Sequence, residues 1–483
     1  MVGENFMSEF VKLVDVRKIY QTGKVEFVAI YGRRRIGKTY LVDEVFKNKF
    51  SFRHAGLSPA ESNDEQQGQL KSQLEHFYNS LKLYGMEGDH CPSSWLEAFF
   101  MLEKALQDRD DGSRQLVFID ELPWLDTPRS GFVTALEGFW NTWACHRSNF
   151  MLVVCGSANS WILDKLINNH GGLYGRVTYE IKLSPFSLAE CEEFFKSNNI
   201  LLSRYDITQS YMILGGIPYY LGYFQQGLSL AQNIDSLFFR AGAVLREEFS
   251  RLFSSVFDNP EWAVSVVRFL NSRSSGYSRK EIAEKTGISS GSTLTAILNA
   301  LIASDFVIKY VPLGLSKREA HYKLVDPYCL FYLRFVENQS MLNEGFWQQS
   351  VESPSIVAWR GLAFENVCFT HIDKIKAALG ISGVNTSQYA WSKRSDDTEG
   401  AQIDLIIERK DNVINMCEAK FYSYEFTVDG TYYRTLMRRQ DLLSKHVPRK
   451  MVIHNTLITT YGLVYNEYSG IFSNVITLDD FFS

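Results

Sequence analysis

The sequence predicts a mixed α/β chain of several domains, and three stretches carry that prediction. "VEFVAIYGRRRIGKTYLVDEVF" reads as a strand, a glycine-bearing turn and a helix; "QLVFIDELPWLD" reads as a buried strand ending in two acids; "GAQIDLIIERKDNVINMCEAKF" reads as two strands with charges set inside apolar runs. A length of 483 residues exceeds one ordinary core. A composition of 45% hydrophobic and 22% charged residues is that of a soluble globular chain. The net charge of −5 excludes a whole-chain field drawing in nucleic acid, so any such binding must come from local patches. Seven scattered cysteines without a CxxC pair exclude a disulfide framework and a zinc site, and they suit a reducing cytoplasm. Glu4, Glu9 and Asp15 break up any secretory leader, and apolar runs such as "LVVC" fall far short of the ~20 residues that span a bilayer, so no membrane is expected.

Val25 to Tyr31 is the first strand, short and apolar. Tyr40 to Phe46 has helical spacing, with Leu41, Val42 and Val45 on one side. Between them Gly32 to Thr39 spells G-x-x-x-x-G-K-T. Glycines let such a loop turn its N–H groups onto phosphate oxygens at a helix N-terminus. The expected cradle for ATP runs from Gly32 through Arg33, Arg34, Arg35, Ile36 and Gly37 to Lys38, Thr39 and Tyr40. Lys38 would reach the β- and γ-phosphates, and the Thr39 hydroxyl would ligate Mg²⁺. The three arginines either contact a neighbouring subunit or domain, which would suit a homo-oligomer, or stand as surface cations paired with acids; the second reading is preferred.

Leu116 to Ile119 is a continuous apolar run, as in a buried parallel strand, and Asp120 and Glu121 follow at its C-terminal end, where ligands bind. Asp120 is expected to hold Mg²⁺ through water, and Glu121 to polarise the attacking water. A third run, "MLVVCGSANSWI", ends in Gly156 and Ser157. Ser157 either senses the γ-phosphate or serves the turn alone.

The stretches "IYGRRRIGKT", "FIDELPWL", "VVCGSANSWI", "GGLYGRVTYEIKLSPFS" and "LGGIPYYL" occur in that order. The sequence resembles the archaeal-type AAA-related ATPases, relatives of the signal-transduction NTPases, over roughly residues 10 to 340. The resemblance implies a P-loop ATPase core over 1–186 and a helical lid over 187–257. It also implies that Arg176 acts as an arginine finger or sensor, and that "GGIP", ending in Pro218, lies over the adenine. Read from the residues alone, Arg176 is a surface cation and the glycine pair a turn between helices.

Residues 258–326 give three helices with a tight T-G turn, then strand, turn and strand, which is the pattern of a winged helix-turn-helix. Ser290 to Ser304 holds no lysine or arginine, which argues against strong phosphate contact. Arg279, Lys280, Lys317 and Arg318 flank it instead. Both DNA reading and a packing or regulatory role stand open.

"LVDPYCLFYLRFV" resembles the linker helix that precedes the C-terminal domain of the same family, and the resemblance implies that the last domain, 327–483, is restriction-endonuclease-like, of the PD-(D/E)xK kind. An acid followed by E-x-K is common by chance, so context decides. Asp404 lies among Ile403, Leu405, Ile406 and Ile407, and Glu418 follows Val413, Ile414, Met416 and Cys417. Glu418 and Lys420 are two apart and share a face. Asp404 and Glu418 are the expected oxygen ligands of a divalent ion, with Lys420 steadying charge and Glu365 as the helix-borne acid. Arg434, Arg438 and Arg439 at near-helical spacing either follow a nucleic-acid backbone or form a wet basic face. The function expected is an ATPase whose nucleotide state controls this domain in cutting DNA or RNA. The rival is an ATP-driven regulatory or scaffold switch with a spent nuclease fold.

Overall fold

The computed structural model describes residues 11–58, 66–86, 90–168, 171–254, 257, 259–338, 343–393 and 401–483. Two compact units result: Met1–Pro185 with Ser250–Pro260 and Asn299–Ser304, and Phe186–Phe249 with Glu261–Leu298 and Asp305–Ser483.

The first unit is built on five parallel strands, β1 (Glu26–Tyr31), β2 (Phe52–Ala55), β3 (Gln115–Asp120), β4 (Phe150–Gly156) and β5 (Tyr179–Lys182), in the order β2-β3-β4-β1-β5. Every residue of β1, β3 and β4 is buried. Strands hidden on both faces need no polar alternation, and this is why they read as unbroken apolar runs. The edge strands β2 and β5 are only four residues long, too short to show a pattern in the sequence. Phe52, Phe77, Trp95, Phe99, Phe132 and Phe139 fill one face of the sheet. Their rings interlock, with Phe77 and Trp95 edge-on at 5.6 Å and Phe99 and Phe139 stacked at 5.1 Å. Truncating one such ring to alanine costs about 3–5 kcal/mol.

Parallel pairing sets Tyr31 beside Gly156 and Ile119 beside Val154. The loops leaving β1, β3 and β4 therefore emerge at one edge. Helix α1 (Lys38–Phe46) starts there, directly after Gly37, whose φ of 88° favours glycine.

In the second unit, helices Leu188–Ser197, Arg204–Leu214 and Leu230–Phe238 are each capped by a serine hydroxyl, from Ser187, Ser203 and Ser229. Gly216, at φ 65°, has no room for a side chain, since a Cβ would stand 2.3 Å from the Phe186 carbonyl oxygen. Helices Pro260–Leu270 and Arg279–Thr286 are followed by α2 (Ser292–Ala303), whose last residues group with the first unit. Strands β6 (Tyr277–Ser278), β7 (Val307–Tyr310) and β8 (His321–Leu324) pair antiparallel in the order β6-β8-β7.

The C-terminal sheet holds β9 (Thr386–Lys393), β10 (Ala401–Arg409), β11 (Val413–Lys420), β12 (Val452–Thr459) and β13 (Asn474–Thr477), in the order β13-β12-β11-β10-β9. The expected hairpin is present: β10 and β11 run antiparallel, with Leu405 opposite Cys417 and Ile406 opposite Met416. β11, β12 and β13 then run parallel. Helix α3 (Pro354–Thr370) precedes the sheet, and α4 (Gly430–Ser444) crosses over between β11 and β12. Leu436 and Leu443 of α4 bury against Ile406, Ile414 and Met416. The pairing of β9 with β10 shifts register between Ile403 and Ile406, a bulge that re-aims the backbone around Asp404. Among the described residues no helix is long and apolar enough to cross a membrane.

Candidate functional site

The P-loop turns sharply out of β1. Gly32 has φ 153°, and a Cβ there would lie 2.3 Å from both the Leu183 carbonyl oxygen and Ile36 Cδ1. Arg35 takes a left-handed φ of 74° without being glycine, at a cost of about 1–2 kcal/mol. Lys38 is buried and folds back on the loop, its Nζ donating to the carbonyls of Gly32 at 2.9 Å and Arg33 at 3.0 Å. Burial lowers its pKa, while Glu121 and Asp120 nearby act the other way. These hydrogen bonds satisfy a buried ammonium with neutral acceptors, which a phosphate chain would outbid.

Thr39 Oγ1 donates to Asp120 Oδ2 at 2.7 Å, and the other Asp120 oxygen accepts the Glu121 N–H at 2.9 Å. Two hard oxygen donors thus meet at the end of β3. Such a pair fits Mg²⁺, which takes one or two protein oxygens and fills its remaining positions with phosphate and water.

Glu121 sits at φ 44°, and its Oε2 accepts both the Ser157 N–H at 3.0 Å and the Ser157 hydroxyl at 2.8 Å. The strand-end acids are therefore held by the P-loop threonine on one side and by the exit of β4 on the other. Two buried amides escaped the sequence reading. Gln73 clamps the turn after Glu121, its side chain bonding the Leu57 N–H and carbonyl and the Trp124 carbonyl. Asn159, in "GSANS", accepts the Gly32 N–H at 2.8 Å. The only sequence signal for Asn159 was a second polar residue beyond Ser157.

The arginines of the loop part company. Arg33 is buried, not a surface cation. Arg34 donates to the Arg251 carbonyl at 3.3 Å. Tyr40 is half-buried on α1, and Arg176 is exposed in the turn before β5. Pro218 belongs to the second unit, where it opens the short helix Pro218–Leu221.

In the C-terminal sheet Glu418 is 3% exposed. Its Oε2 accepts the Tyr432 hydroxyl at 2.7 Å, and its Oε1 accepts Arg439 Nη1, both from α4. Lys420 Nζ lies 3.9 Å from Oε2 and 4.9 Å over the Tyr432 ring. Burial and the Glu418 charge push the Tyr432 hydroxyl far up. Arg439 thus serves as an internal counter-ion and is not spread along a wet basic face. Arg434 reaches Thr431 Oγ1 at 3.2 Å. Glu365, on α3, lines a different space, a cavity of about 180 Å³ shared with Tyr310, His321, Lys323, Trp391 and Gln402. Asp404 lies on β10, and its side chain falls outside the described residues. Among the described residues no group of three or more His, Cys, Asp or Glu side chains could hold a metal.

Residues 10–224 match the family model of an ATPase domain predominantly from Archaea. An uncharacterized protein of Methanocaldococcus jannaschii is 24% identical over 424 residues, covering 86% of this chain and 88% of its own. Among solved structures, a Walker-type ATPase of Pyrococcus abyssi aligns with a TM-score of 0.45 and 17% identity, over 67% of this chain and 95% of its own. The ORC2 protein of Aeropyrum pernix, in ADPNP–ADP complexes, aligns with a TM-score of 0.39 and 13% identity, over 67% of this chain and 91% of its own. The span matched by the family model holds the P-loop, Asp120, Glu121 and Ser157, so the strand-end cluster lies within the part of the chain that is similar to ATPase domains.

Proposed function

We propose that the chain hydrolyses ATP with Mg²⁺ at the edge where β1, β3 and β4 end, and that it works as a nucleotide-driven switch. One observation carries this reading: Lys38, the Thr39–Asp120 pair and the Glu121–Ser157 pair converge at that edge. In it, Lys38 leaves the loop carbonyls for the β- and γ-phosphates. Thr39 and Asp120 would hold the metal, which would neutralise phosphate charge. Glu121 leaves Ser157 to orient the attacking water, and Ser157 is then free to meet the γ-phosphate. Arg176 keeps the role implied by resemblance, a finger or sensor. Nucleotide calorimetry and steady-state hydrolysis of the wild type and of Lys38→Ala and Glu121→Gln test this reading.

For the second unit, three helices with a small antiparallel sheet support a winged helix-turn-helix over 258–326. A packing or regulatory role is favoured over DNA reading because two of its arginines, Arg273 and Arg279, are engaged within the module. Arg279 Nη2 donates to the Ser290 and Gly291 carbonyls and to Thr295 Oγ1. Arg273 pairs with Glu281 at 3.0 Å.

For 327–483, an antiparallel run β9–β10–β11 followed by parallel β12 supports a nuclease-like fold. The internal pairing of Glu418 favours the regulatory or scaffold switch over an active nuclease. Cutting of DNA or RNA through Glu365, Asp404, Glu418 and Lys420 is the second reading, supported by Lys420 beside Glu418. Incubating plasmid and single-stranded substrates with Mg²⁺ or Mn²⁺, with and without ATP, separates the two. Both readings suit a cytoplasmic protein, and assembly with a second copy is read from its mass in solution with and without ATP.

A further inference from the structure

We propose that Asn159 is a positioning residue that ties the first amide of the P-loop to the C-terminal turn of α2, so that nucleotide held in the loop is felt at that turn. The inference rests on the ATP-binding reading. Asn159 is completely buried, and both halves of its amide are used. Oδ1 accepts the Gly32 N–H at 2.8 Å, and Nδ2 donates to the Ala303 carbonyl at 2.9 Å. A buried amide has no water to fall back on, so a shift at one end either breaks a bond or pulls the other end along.

Neither end has slack. At Gly32 the backbone is wedged against Leu183 and Ile36. The next strand is bonded in as well, with the Leu183 N–H on the Tyr31 carbonyl at 2.8 Å. Ala303 is the last residue of α2, where helix carbonyls lack partners within the helix. Asn159 supplies one, just before the chain turns through Asp305 at φ 60°. The same exit of β4 carries Ser157, which holds Glu121, and the Asn159 N–H donates to the Ser157 carbonyl at 3.1 Å.

Nucleotide would disturb this strut directly. Lys38 now donates to the Gly32 carbonyl. When phosphates draw Lys38 and the loop N–H groups toward themselves, the Gly32 carbonyl loses that partner, while the Gly32 N–H, on the preceding peptide, stays held by Asn159. The strain then passes to Ala303.

The test is hydrogen–deuterium exchange of the full chain over Asn299–Ser304, with and without a non-hydrolysable ATP analogue and Mg²⁺, beside calorimetry of analogue binding. In the wild type the analogue should change exchange there by about 3-fold or more, since opening of a helix end follows its hydrogen bonds. Asn159→Asp keeps an acceptor for Gly32 but cannot donate to Ala303; it should bind the analogue within about 3-fold of wild type yet lose the exchange response. Asn159→Ala should lose the response and bind more weakly, by about 10-fold. Unchanged exchange at Asn299–Ser304 in wild type with analogue bound overturns the proposal, and it needs no variant to fold. A wild-type response in both variants overturns it equally. Absence of analogue binding by the wild type would overturn the ATPase reading itself.

Discussion

The nucleotide edge of the first unit and the Glu418 end of β11 both bury charge at the end of a strand, but they satisfy it differently. At the nucleotide edge Lys38 rests on neutral carbonyls, Asp120 on a hydroxyl and an amide, and Glu121 on a serine. Glu418 is closed by an arginine and a tyrosine from its own helix α4. A ligand displaces the first set of partners cheaply, since neutral hydrogen bonds are exchanged for charge-assisted ones. The second set already contains an ion pair, which a metal would have to break. One site is poised for a ligand, whereas the other is complete without one.

The largest effect that can break this contrast is expected at Lys38. Lys38→Ala should lower ATP affinity by about 100-fold or more, roughly 2.7 kcal/mol, to below detection in calorimetry. Its removal orphans only two carbonyls, so the thermal midpoint should barely move. Near-normal ATP affinity would mean that the loop carbonyls, and not phosphate, are the lysine's purpose. Glu121→Gln comes next. It keeps an oxygen for Ser157 and leaves the Thr39–Asp120 pair intact, so ATP should bind as before while turnover falls about 100-fold or more. Turnover close to wild type would reduce Glu121 to a brace for the turn after β3.

What could be read from the sequence divides along the same line. The P-loop was legible because its function is written in backbone conformation: Gly32 and Gly37 sit where φ is positive, and glycine records that in the chain. β1, β3 and β4 were legible because total burial leaves an unbroken apolar run. Partner choice leaves no such record. Arg439 was visible on a helical stripe and was read outward, toward nucleic acid or solvent, although the fold turns it onto Glu418. Arg33 was read as exposed for the same reason. Asn159 and Gln73 sit on no periodic pattern, since a buried amide is chosen by what happens to lie at both of its ends.

Arg439→Ala sharpens the comparison in the second unit. It leaves Glu418, 3% exposed, without its counter-ion, and breaking a buried pair costs about 3–5 kcal/mol. Arg439 is itself 26% exposed and Lys420 stands 3.9 Å away, so water and the lysine recover part of this and a loss of about 2–3 kcal/mol is expected by urea denaturation. Adding Glu418→Gln should return at least about 1 kcal/mol, because the orphaned charge is gone. A double variant no more stable than Arg439→Ala would mean that the arginine contributes packing only.

The smallest effect concerns Asp404 and asks whether the second site is as complete as its hydrogen bonds suggest. If Glu418 is committed to Arg439 and Tyr432, Mn²⁺ is left with Asp404 alone of the two expected ligands, and a single carboxylate holds a divalent ion weakly. Wild type and Asp404→Asn should then show thermal midpoints that respond equally to Mn²⁺, within about 1 °C, and neither should cleave plasmid or single-stranded DNA. The opposite result would be a Mn²⁺-induced rise of several degrees in wild type, absent from Asp404→Asn and accompanied by cleavage that the variant lacks. It would require Glu418 to exchange Arg439 for metal when substrate or ion arrives. The internal ion pair would then be a resting state, much as the Lys38–Gly32 contact is at the P-loop, and the contrast between the two sites would become one of degree. Arg439→Ala decides between these cases from the other side. Removing the competing cation should strengthen the Mn²⁺ response if Glu418 is a latent ligand, and should leave it at the wild-type value if Glu418 is structural.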